Sequence, residues 1–201
     1  MKKLFIISII LLTNSSLAHA GTSGNYLGAS LINTTLQNPS IHGSEPKYTN
    51  DKAYAMKMSL GASYGYAFNW NNFFLMPEVF YDDNDITNSS SGSLTSRYKI
   101  DNSYGVKLKI GYDFTDRFSG FLLLGHAESR VMDKVEYNFV YYDTNESFIF
   151  GLGFRSELAY DFSVGGSYQI HQFEKSDDIF NTTDEVGRTF DVLRVSLFYN
   201  F

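Results

Sequence analysis

The chain lacks cysteine, and this absence excludes a disulfide framework as the source of its stability. It also lacks a phosphate-binding loop, zinc-ligand spacing and an EF-hand pattern, so no cofactor is expected. Basic residues are scarce: 16 Lys and Arg stand against 22 Asp and Glu, which argues against a nucleic-acid partner. The apolar run near the N-terminus, residues 4–12, is shorter than the roughly 20 residues that a membrane-spanning helix needs.

The first 20 residues have the order of a secretory signal peptide. Two lysines follow the first Met, residues 4–12 are apolar, and small residues precede the bond between Ala20 and Gly21. We expect cleavage at that bond, which leaves one domain over residues 21–201. Loss of the two lysines changes the formal charge from −6 to −8.

Beyond residue 24 the apolar side chains recur at every second position, which is the period of a β-strand. Aromatic residues, which favour strands, make up 17% of the chain. In the clearest segment Tyr104, Val106 and Leu108 alternate with Gly105 and Lys107. Segments of this kind predict eight strands, at 25–36, 54–68, 73–82, 100–114, 118–129, 148–160, 162–173 and 189–201.

Two places interrupt this pattern. Pro77 cannot donate a hydrogen bond to a neighbouring strand, so we expect a bulge or a local break there. Four consecutive apolar residues at 121–124 hide the alternation of their strand, and the sequence therefore does not say which side His126 faces.

The connections between the predicted strands alternate between short and long. The short ones lie at 69–72, at 115–117 and around Asp161, and they are flanked by the aromatic residues Phe68, Trp70, Phe73, Phe114, Phe118, Tyr160 and Phe162. The long, polar ones lie at 37–53, 83–97, 130–147 and 174–188. Short periplasmic turns, long outer loops and an aromatic girdle are typical of a transmembrane β-barrel.

Alternation alone does not say which face points inward, so a soluble barrel with an apolar lumen, as in lipocalins, is an alternative. The regular order of long and short connections favours the membrane barrel. A small, glycine-rich face also suits a narrow eight-stranded interior. In addition, the chain ends on a strand whose apolar side has no later residue to cover it, with Leu193, Val195, Leu197, Tyr199 and Phe201 on that side.

On these features the chain resembles the small outer-membrane barrels of Gram-negative bacteria, the outer-membrane protein A and opacity-type porin-like family. The resemblance covers residues 24–201, and its one specific motif is the C-terminal strand with Val195, Leu197, Tyr199 and Phe201. It implies an all-β, eight-stranded antiparallel up-and-down transmembrane β-barrel in the outer membrane, in contact with lipid and lipopolysaccharide. It also implies that the barrel-assembly machinery recognises the C-terminal strand as an insertion signal. We expect a monomer, because a closed sheet has no edge to cover, and no periplasmic domain after the last strand.

If the apolar faces point to lipid, several charged side chains must point into the lumen. Buried charges have to be paired and hydrogen-bonded, so we expect Glu78 and Glu157 to bind basic side chains at a similar depth. The resemblance also implies a network of acidic and basic side chains in the lumen, which would plug it. The predicted network consists of Glu78, Lys107, Lys109, Arg155, Glu157 and Arg194.

Catalysis and metal binding have little support in the sequence. A nucleophile needs a base within hydrogen-bond reach. Lipid A deacylases of similar size carry a His-x-Ser pair, and neither His126 nor His171 has a serine at that spacing. Acidic residues cluster at 82–85 and 174–185, where carboxylates could bind Ca²⁺, but a solvated acidic loop is the default interpretation. We therefore expect no catalytic, cofactor-binding or metal-binding residues.

The sequence thus predicts a non-enzymatic barrel that displays four loops at the cell surface. The resemblance implies a structural protein and surface antigen with a role in adhesion, for which a host-cell surface ligand is the implied partner. A narrow or gated channel for small solutes is the first alternative, because exchange of ion-pair partners would open a water path. An outer-membrane enzyme that acts on lipid is the second.

Mass spectrometry of the protein from the membrane fraction tests the predicted processing. The N-terminal peptide should begin at Gly21, and replacing Ala20 by Asp should leave residues 1–20 attached, because the cleavage site requires a small residue. The control Gly21→Ser keeps that small residue and should be cleaved normally. Recovery of residues 1–20 from the wild-type protein in the membrane would contradict the prediction.

Overall fold

The fold is known from a computed structural model that describes residues 23–37, 54–89, 97–135, 139–158, 161–173 and 189–201. The strands in these ranges are β1 (Gly24–Gln37), β2 (Tyr54–Trp70), β3 (Phe73–Asp83), β4 (Ile86–Ser89), β5 (Arg97–Thr115), β6 (Phe118–Val135), β7 (Phe139–Glu157), β8 (Phe162–Phe173) and β9 (Thr189–Asn200). A helix long and apolar enough to cross a membrane does not occur among the described residues. The predicted signal peptide lies outside them and stays a prediction.

The strands form one closed antiparallel sheet. Its order runs from β3 through β2, β1, β9, β8, β7 and β6 to β5, and pairing of β3 with β5 closes the ring. Both β3 and β4 pair with β5 and are separated only by Asn84 and Asp85, so together they fill one position in the wall. The wall therefore has eight positions, and the predicted eight-stranded antiparallel barrel is confirmed.

Two of the short turns use residues that tolerate a left-handed backbone. Asn71 has φ of 54° in the turn between β2 and β3, and Asp161 has φ of 63° before β8. Asn and Asp adopt this conformation more readily than other residues with a side chain, because their short polar groups bond locally. These turns can therefore be tight without glycine.

Side chains alternate between the lumen and the outer surface along each strand. The outward positions carry apolar side chains that are about half exposed, among them Leu27, Leu31, Leu60, Val79, Val106, Ile110, Leu122, Leu124, Phe150, Leu152, Leu193, Val195 and Leu197. A soluble barrel would place such a surface inside, where it is shielded from water. The soluble alternative is therefore wrong.

Aromatic rings line the outer surface beside the short turns. The ring centroids of Phe73 and Tyr112 are 5.0 Å apart, those of Tyr112 and Phe114 are 5.6 Å apart, and those of Phe118 and Phe154 are 6.1 Å apart. These contacts form the aromatic edge that the turn sequences predict. Tyr160 lies outside the described residues.

The lumen holds larger side chains than a glycine-rich face suggests. Phe74, Phe121 and Phe198 are buried there in one apolar cluster. They fit because glycines face them: a Cβ atom on Gly111 would lie 2.1 Å from the ring of Phe74, and one on Gly153 would lie 2.5 Å from that of Phe121. Small and large residues that are paired in neighbouring strands thus complement each other inside the barrel. A second apolar cluster is formed by Ile32, Ile86, Ile100, Val131, Phe173, Phe190 and Val192.

Two segments that the sequence predicts as loops contain paired strands in the structure. Segment 83–97 contains β4, and in segment 130–147 strands β6 and β7 stay paired from Arg130–Thr144 to Val135–Phe139. Outside a bilayer both faces of a sheet can be polar, so these strands have no apolar period to identify them.

The sequence places Ile100 on the apolar outer face of its strand, and this prediction is wrong because of a register shift. The pairing of β5 with β6 shifts between Ile100 and Asn102, and Ile100 is completely buried in the lumen, not on the apolar outer face with Tyr104. An extra residue in one strand reverses the facing of what precedes it.

The strand pairing decides two questions that the sequence leaves open: the form of the irregularity at Pro77 and the side that His126 faces. The ladder between β3 and β2 is interrupted at Met76 and Pro77 and resumes in the same register, which is a local break and not a bulge. His126 faces outward, and its Nε2 atom is 3.4 Å from Oε2 of Glu146.

Trypsin digestion of intact cells tests which end of the barrel is outside. Cleavage is expected between the strand ends on the long-connection side, at Lys47, Lys52, Lys175 and Arg188. Arg130 and Lys134 lie in paired strands and should be cut more slowly, because a protease needs backbone that is free of a ladder. Arg117, in a short turn, should be cut only after the outer membrane is permeabilised. Cleavage at Arg117 in intact cells would contradict this orientation.

Candidate functional site

The lumen contains the buried charges of the described chain. Glu78, Asp82, Lys107, Lys109 and Arg194 are each less than one-tenth exposed. The two acids come from β3, the lysines from the adjacent β5, and Arg194 from β9, which faces β5 across the barrel. Side chains from three parts of the wall therefore meet inside.

Glu78 and Lys109 form the better-defined ion pair. Lys109 Nζ donates to Glu78 Oε2 at 2.6 Å, and the hydroxyl of Tyr26 donates to the same oxygen at 3.1 Å. Lys109 Nζ also lies 4.8 Å from the ring centroid of Phe198. The opposite charge and the hydrogen bonds thus compensate both members of a pair that is almost completely buried.

Arg194 pairs with Asp82, a residue that sequence reasoning missed. The Nη2 group of Arg194 donates to Asp82 Oδ2 in a buried ion pair. The sequence pattern assigns Asp82 to the acidic cluster of a loop, and this interpretation is wrong: Asp82 is an inward residue of β3 with about 1% exposure. A signal was present, because Glu78, Phe80 and Asp82 follow the period of two.

Arg155 and Glu157 form a separate group near the short turns. Arg155 Nη2 is 2.8 Å from Glu157 Oε1, and Arg155 also donates to Ser163 Oγ at 2.9 Å and to Asn200 Oδ1 at 3.1 Å. The structure therefore divides the six predicted lumen residues into separate groups. Glu157 contacts neither lysine of the predicted network.

Lys107 is left without an anionic partner. Its Nζ atom is buried, has no hydrogen-bond partner and lies 3.5 Å from the ring centroid of Phe80. A desolvated cation–π contact is worth about 2 kcal/mol, whereas leaving a buried charge uncompensated costs about 3–5 kcal/mol. The ring alone does not offset the burial of this charge.

Little space remains between the two ion pairs. A cavity of about 10 Å³ lies there, which is room for a single water molecule. Ser30, Glu78, Lys109, Gln169 and Arg194 are among the residues that line it. The lumen at this level is therefore filled by side chains.

Among the described histidines, His171 lacks the partners that nucleophilic catalysis needs. His171 is buried in the lumen and stacks on Phe190 with 4.3 Å between ring centroids, and neither of its nitrogens has a hydrogen-bond partner. Ser167, on the same face, accepts a hydrogen bond from Gln169 Nε2 at 2.8 Å. His42 lies outside the described residues.

The acidic cluster at 82–85 is occupied by basic side chains. Above the apolar band, Asp85 accepts hydrogen bonds from Lys57 and from Lys99, whose Nζ is 2.8 Å from Oδ1, and these bonds lower the pKa of Asp85 to about 2. Among the described residues no group of three His, Asp or Glu side chains could hold a metal ion. The second acidic cluster, 174–185, lies outside them.

The C-terminal strand closes the barrel against β1. The backbone of Phe201 exchanges hydrogen bonds with that of Asn25, at N–O distances of 2.9 and 3.0 Å. Val195, Leu197, Tyr199 and Phe201 are exposed on the outer face. Their role as an insertion signal stays a prediction.

A comparison with protein families agrees with this geometry. The model described as the outer membrane protein beta-barrel domain matches residues 5–201. The chain belongs to this family. It is a protein of the Gram-negative outer membrane, and the exposed apolar band of this beta-barrel domain faces lipid. A comparison with curated proteins found no match.

Several solved structures share the fold of this outer membrane beta-barrel domain. The crystal structure of Ail, the attachment invasion locus protein of Yersinia pestis, in complex with the heparin analogue sucrose octasulfate, has a TM-score of 0.53 and 15% identity, over 89% of this chain and 99% of that one. The crystal structure of Neisserial surface protein A (NspA) has a TM-score of 0.54 and 15% identity, over 90% of this chain and 99% of that one. At these identities the likeness concerns the fold.

Substitution of Lys109 by Met tests the energetic weight of the buried pair. It should leave Glu78 buried without a counter-charge and lower the free energy of unfolding by about 3–5 kcal/mol. Adding Glu78→Gln should restore most of the loss. Urea unfolding in lipid vesicles, followed by fluorescence of Trp70, the only tryptophan, measures both.

The control for this experiment is Lys57→Met. Lys57 belongs to a half-exposed ion pair with Asp85, and such pairs contribute about 0–1 kcal/mol. If Lys109→Met cost no more than Lys57→Met, the buried pair would have no special role in stability.

Proposed function

We propose that the protein is a surface-displayed adhesin or antigen, with the barrel as a rigid anchor and the binding residues in the segments between the outer strand ends. The observation that carries this proposal is the filled lumen, in which ion pairs and aromatic rings occupy the space that a transport path would need. Mobile or variable connections on a rigid scaffold are where binding residues are usually found.

The similar structures support a role at the cell surface. Ail is called an attachment invasion locus protein and NspA a surface protein. Both are small barrels whose full length is covered by this chain. The shared fold supplies the same kind of anchor, and adhesion by this protein is inferred from it by analogy.

The charge of the outer segments argues for a different ligand from that bound to Ail. Segments 38–53, 90–96, 136–138 and 174–188 contain eight acidic and four basic residues. A polyanion such as the heparin analogue in the Ail complex would meet like charge here. We therefore expect a basic or uncharged partner on a host cell or another surface.

Segment 174–188 is the first candidate for this binding, because it holds five of the eight acidic residues. Cells that display the wild-type protein should bind immobilised host-cell surface proteins, and replacement of 175–186 by an uncharged Gly/Ser linker should reduce binding to the level of cells without the protein. Added salt should weaken wild-type binding, since exposed charges are screened. Retention on the cells is measured by plate counts.

The matched control replaces segment 90–96, which has no charged residue, by a linker of the same length. It should leave binding unchanged. Equal loss with both linkers would argue against a specific role for 174–188. Stepwise ion conductance of the purified barrel in a planar bilayer would instead support the channel alternative.

A further inference from the structure

Two methionines near the outer end of β2 differ in exposure from the methionine of the lumen. Met56 and Met58 are 69% and 68% exposed, whereas Met76 is 2% exposed and belongs to an apolar cluster inside the barrel. Successive side chains of a strand point to opposite faces, so Met56 and Met58 share the outer face and Lys57, between them, points to the other. Both thioether groups are therefore presented on the outside of the wall.

The strand pairing indicates that these two methionines lie beyond the apolar band. The ladder between β2 and β3 ends at Leu60 and Asp83, and Asp83 is exposed on the outer face. A carboxylate on the lipid face is unfavourable within the hydrocarbon, so the wall leaves the hydrocarbon near this pair. Met58 and Met56 follow Leu60 toward the outer end of β2, where the strand begins at Tyr54.

The neighbours of the two methionines support this placement. On β1, Met58 is paired with Asn33 and Met56 with Thr35. On the inner face of the same segment, Lys57 belongs to an ion pair that is about half exposed. A lipid-facing position would have apolar neighbours, so we place the two thioethers among polar groups and not among lipid chains.

An exposed thioether is a group that oxidants attack. Oxidation adds one oxygen atom to the sulfur of methionine and converts an apolar side chain into a polar one. The chain lacks cysteine, so no thiol of the same protein competes for the oxidant. Met76 is shielded by its burial, and its sulfur lies 3.6 Å from Nη1 of Arg155. The two outer methionines are therefore far more accessible than Met76.

We propose that Met56 and Met58 form a modification site at the cell surface, where two-electron oxidants of the hypochlorous acid class convert them to methionine sulfoxide. In each step the sulfur gains one oxygen atom and loses two electrons, and one molecule of hypochlorous acid is reduced to chloride with release of one proton. The proposal is independent of adhesion, because it rests only on the position and exposure of the two sulfurs.

The placement also predicts that this modification leaves the barrel folded. A sulfoxide disrupts a packed core because it brings a polar group among apolar ones. At Met56 and Met58 the new oxygen would meet polar neighbours, so neither the lumen nor the contact with lipid is disturbed. Oxidation would change the outer face of this part of β2 from apolar to polar.

Limited oxidation of intact cells with hypochlorous acid tests the proposal. The protein is then denatured, digested with trypsin and analysed by mass spectrometry. Met58 and Met76 fall in the same tryptic peptide, residues 58–97, so its fragment ions compare an exposed and a buried methionine directly. Met56, in the preceding peptide, and Met58 should carry one added oxygen, while Met76 should remain unmodified.

Protein unfolded in urea before oxidation is the control for intrinsic reactivity, and there Met58 and Met76 should be modified equally. The variant Met58→Leu should leave oxidation of Met56 on cells at the wild-type level. Modification of Met58 no faster than that of Met76 on cells would overturn the proposal. Protection of Met56 and Met58 on cells, with modification only in detergent, would also overturn it, because lipid would then cover the two sulfurs.

Stability provides a second readout. Barrels with sulfoxide confined to Met56 and Met58 are reconstituted in lipid vesicles, and their urea midpoint is compared with that of the untreated protein. The two midpoints should be equal. A lower midpoint for the oxidised barrel would overturn the placement of these side chains outside the hydrocarbon.

Discussion

Inside a lipid bilayer no water is available to an unpaired peptide group, so each backbone N–H and C=O of a spanning strand needs a partner in a neighbouring strand. The seam between β1 and β9 meets this requirement, from Leu36–Phe190 at the outer side to the exchange between Asn25 and Phe201 at the other. Closure of the wall then divides every strand into a lipid face and a lumen face. The apolar band, the ring of aromatic side chains and the packed lumen all depend on that division.

The lumen must accommodate both aromatic rings and charged side chains in the same small volume. Rings such as Phe74 and Phe121 fill it only because their partners in the neighbouring strands are glycines, which leave room for them. The charged side chains among these rings have no bulk water to solvate them, and each must find a partner. Glu78 with Lys109 and Asp82 with Arg194 do so, and Lys107 with its ring contact does not.

The period of two was enough to predict the barrel, its strand number and the facing of most residues, because the bilayer enforces an apolar side on each spanning strand. The period of two does not predict the structure of the strand ends that extend beyond the bilayer, where an apolar side is not required. Outside the apolar band the pairing of Arg130 with Thr144 has no periodic signal, and a register shift turned Ile100 inward.

For the site, the same period placed Glu78, Lys107, Lys109 and Arg194 on the inner face, but it could not assign partners. Partner choice depends on which strands lie across the barrel from each other and on the reach of each side chain. Asp82 is misassigned because a carboxylate next to a polar connection looks like a loop residue in a sequence, although Glu78, Phe80 and Asp82 follow the period of two and Asp82 is buried in β3.

The extended pairing of β6 with β7 restricts how this part of the surface can diverge between strains. The ladder pairs Arg130 with Thr144 and Val135 with Phe139, and residues 136–138 join the two strands in the sequence. A single-residue insertion in one of these strands would turn every later side chain to the opposite face. Replacements, or insertions of matched length in both strands, would preserve the hairpin. Sequence variation here is therefore expected as substitutions, with length changes confined to residues 136–138.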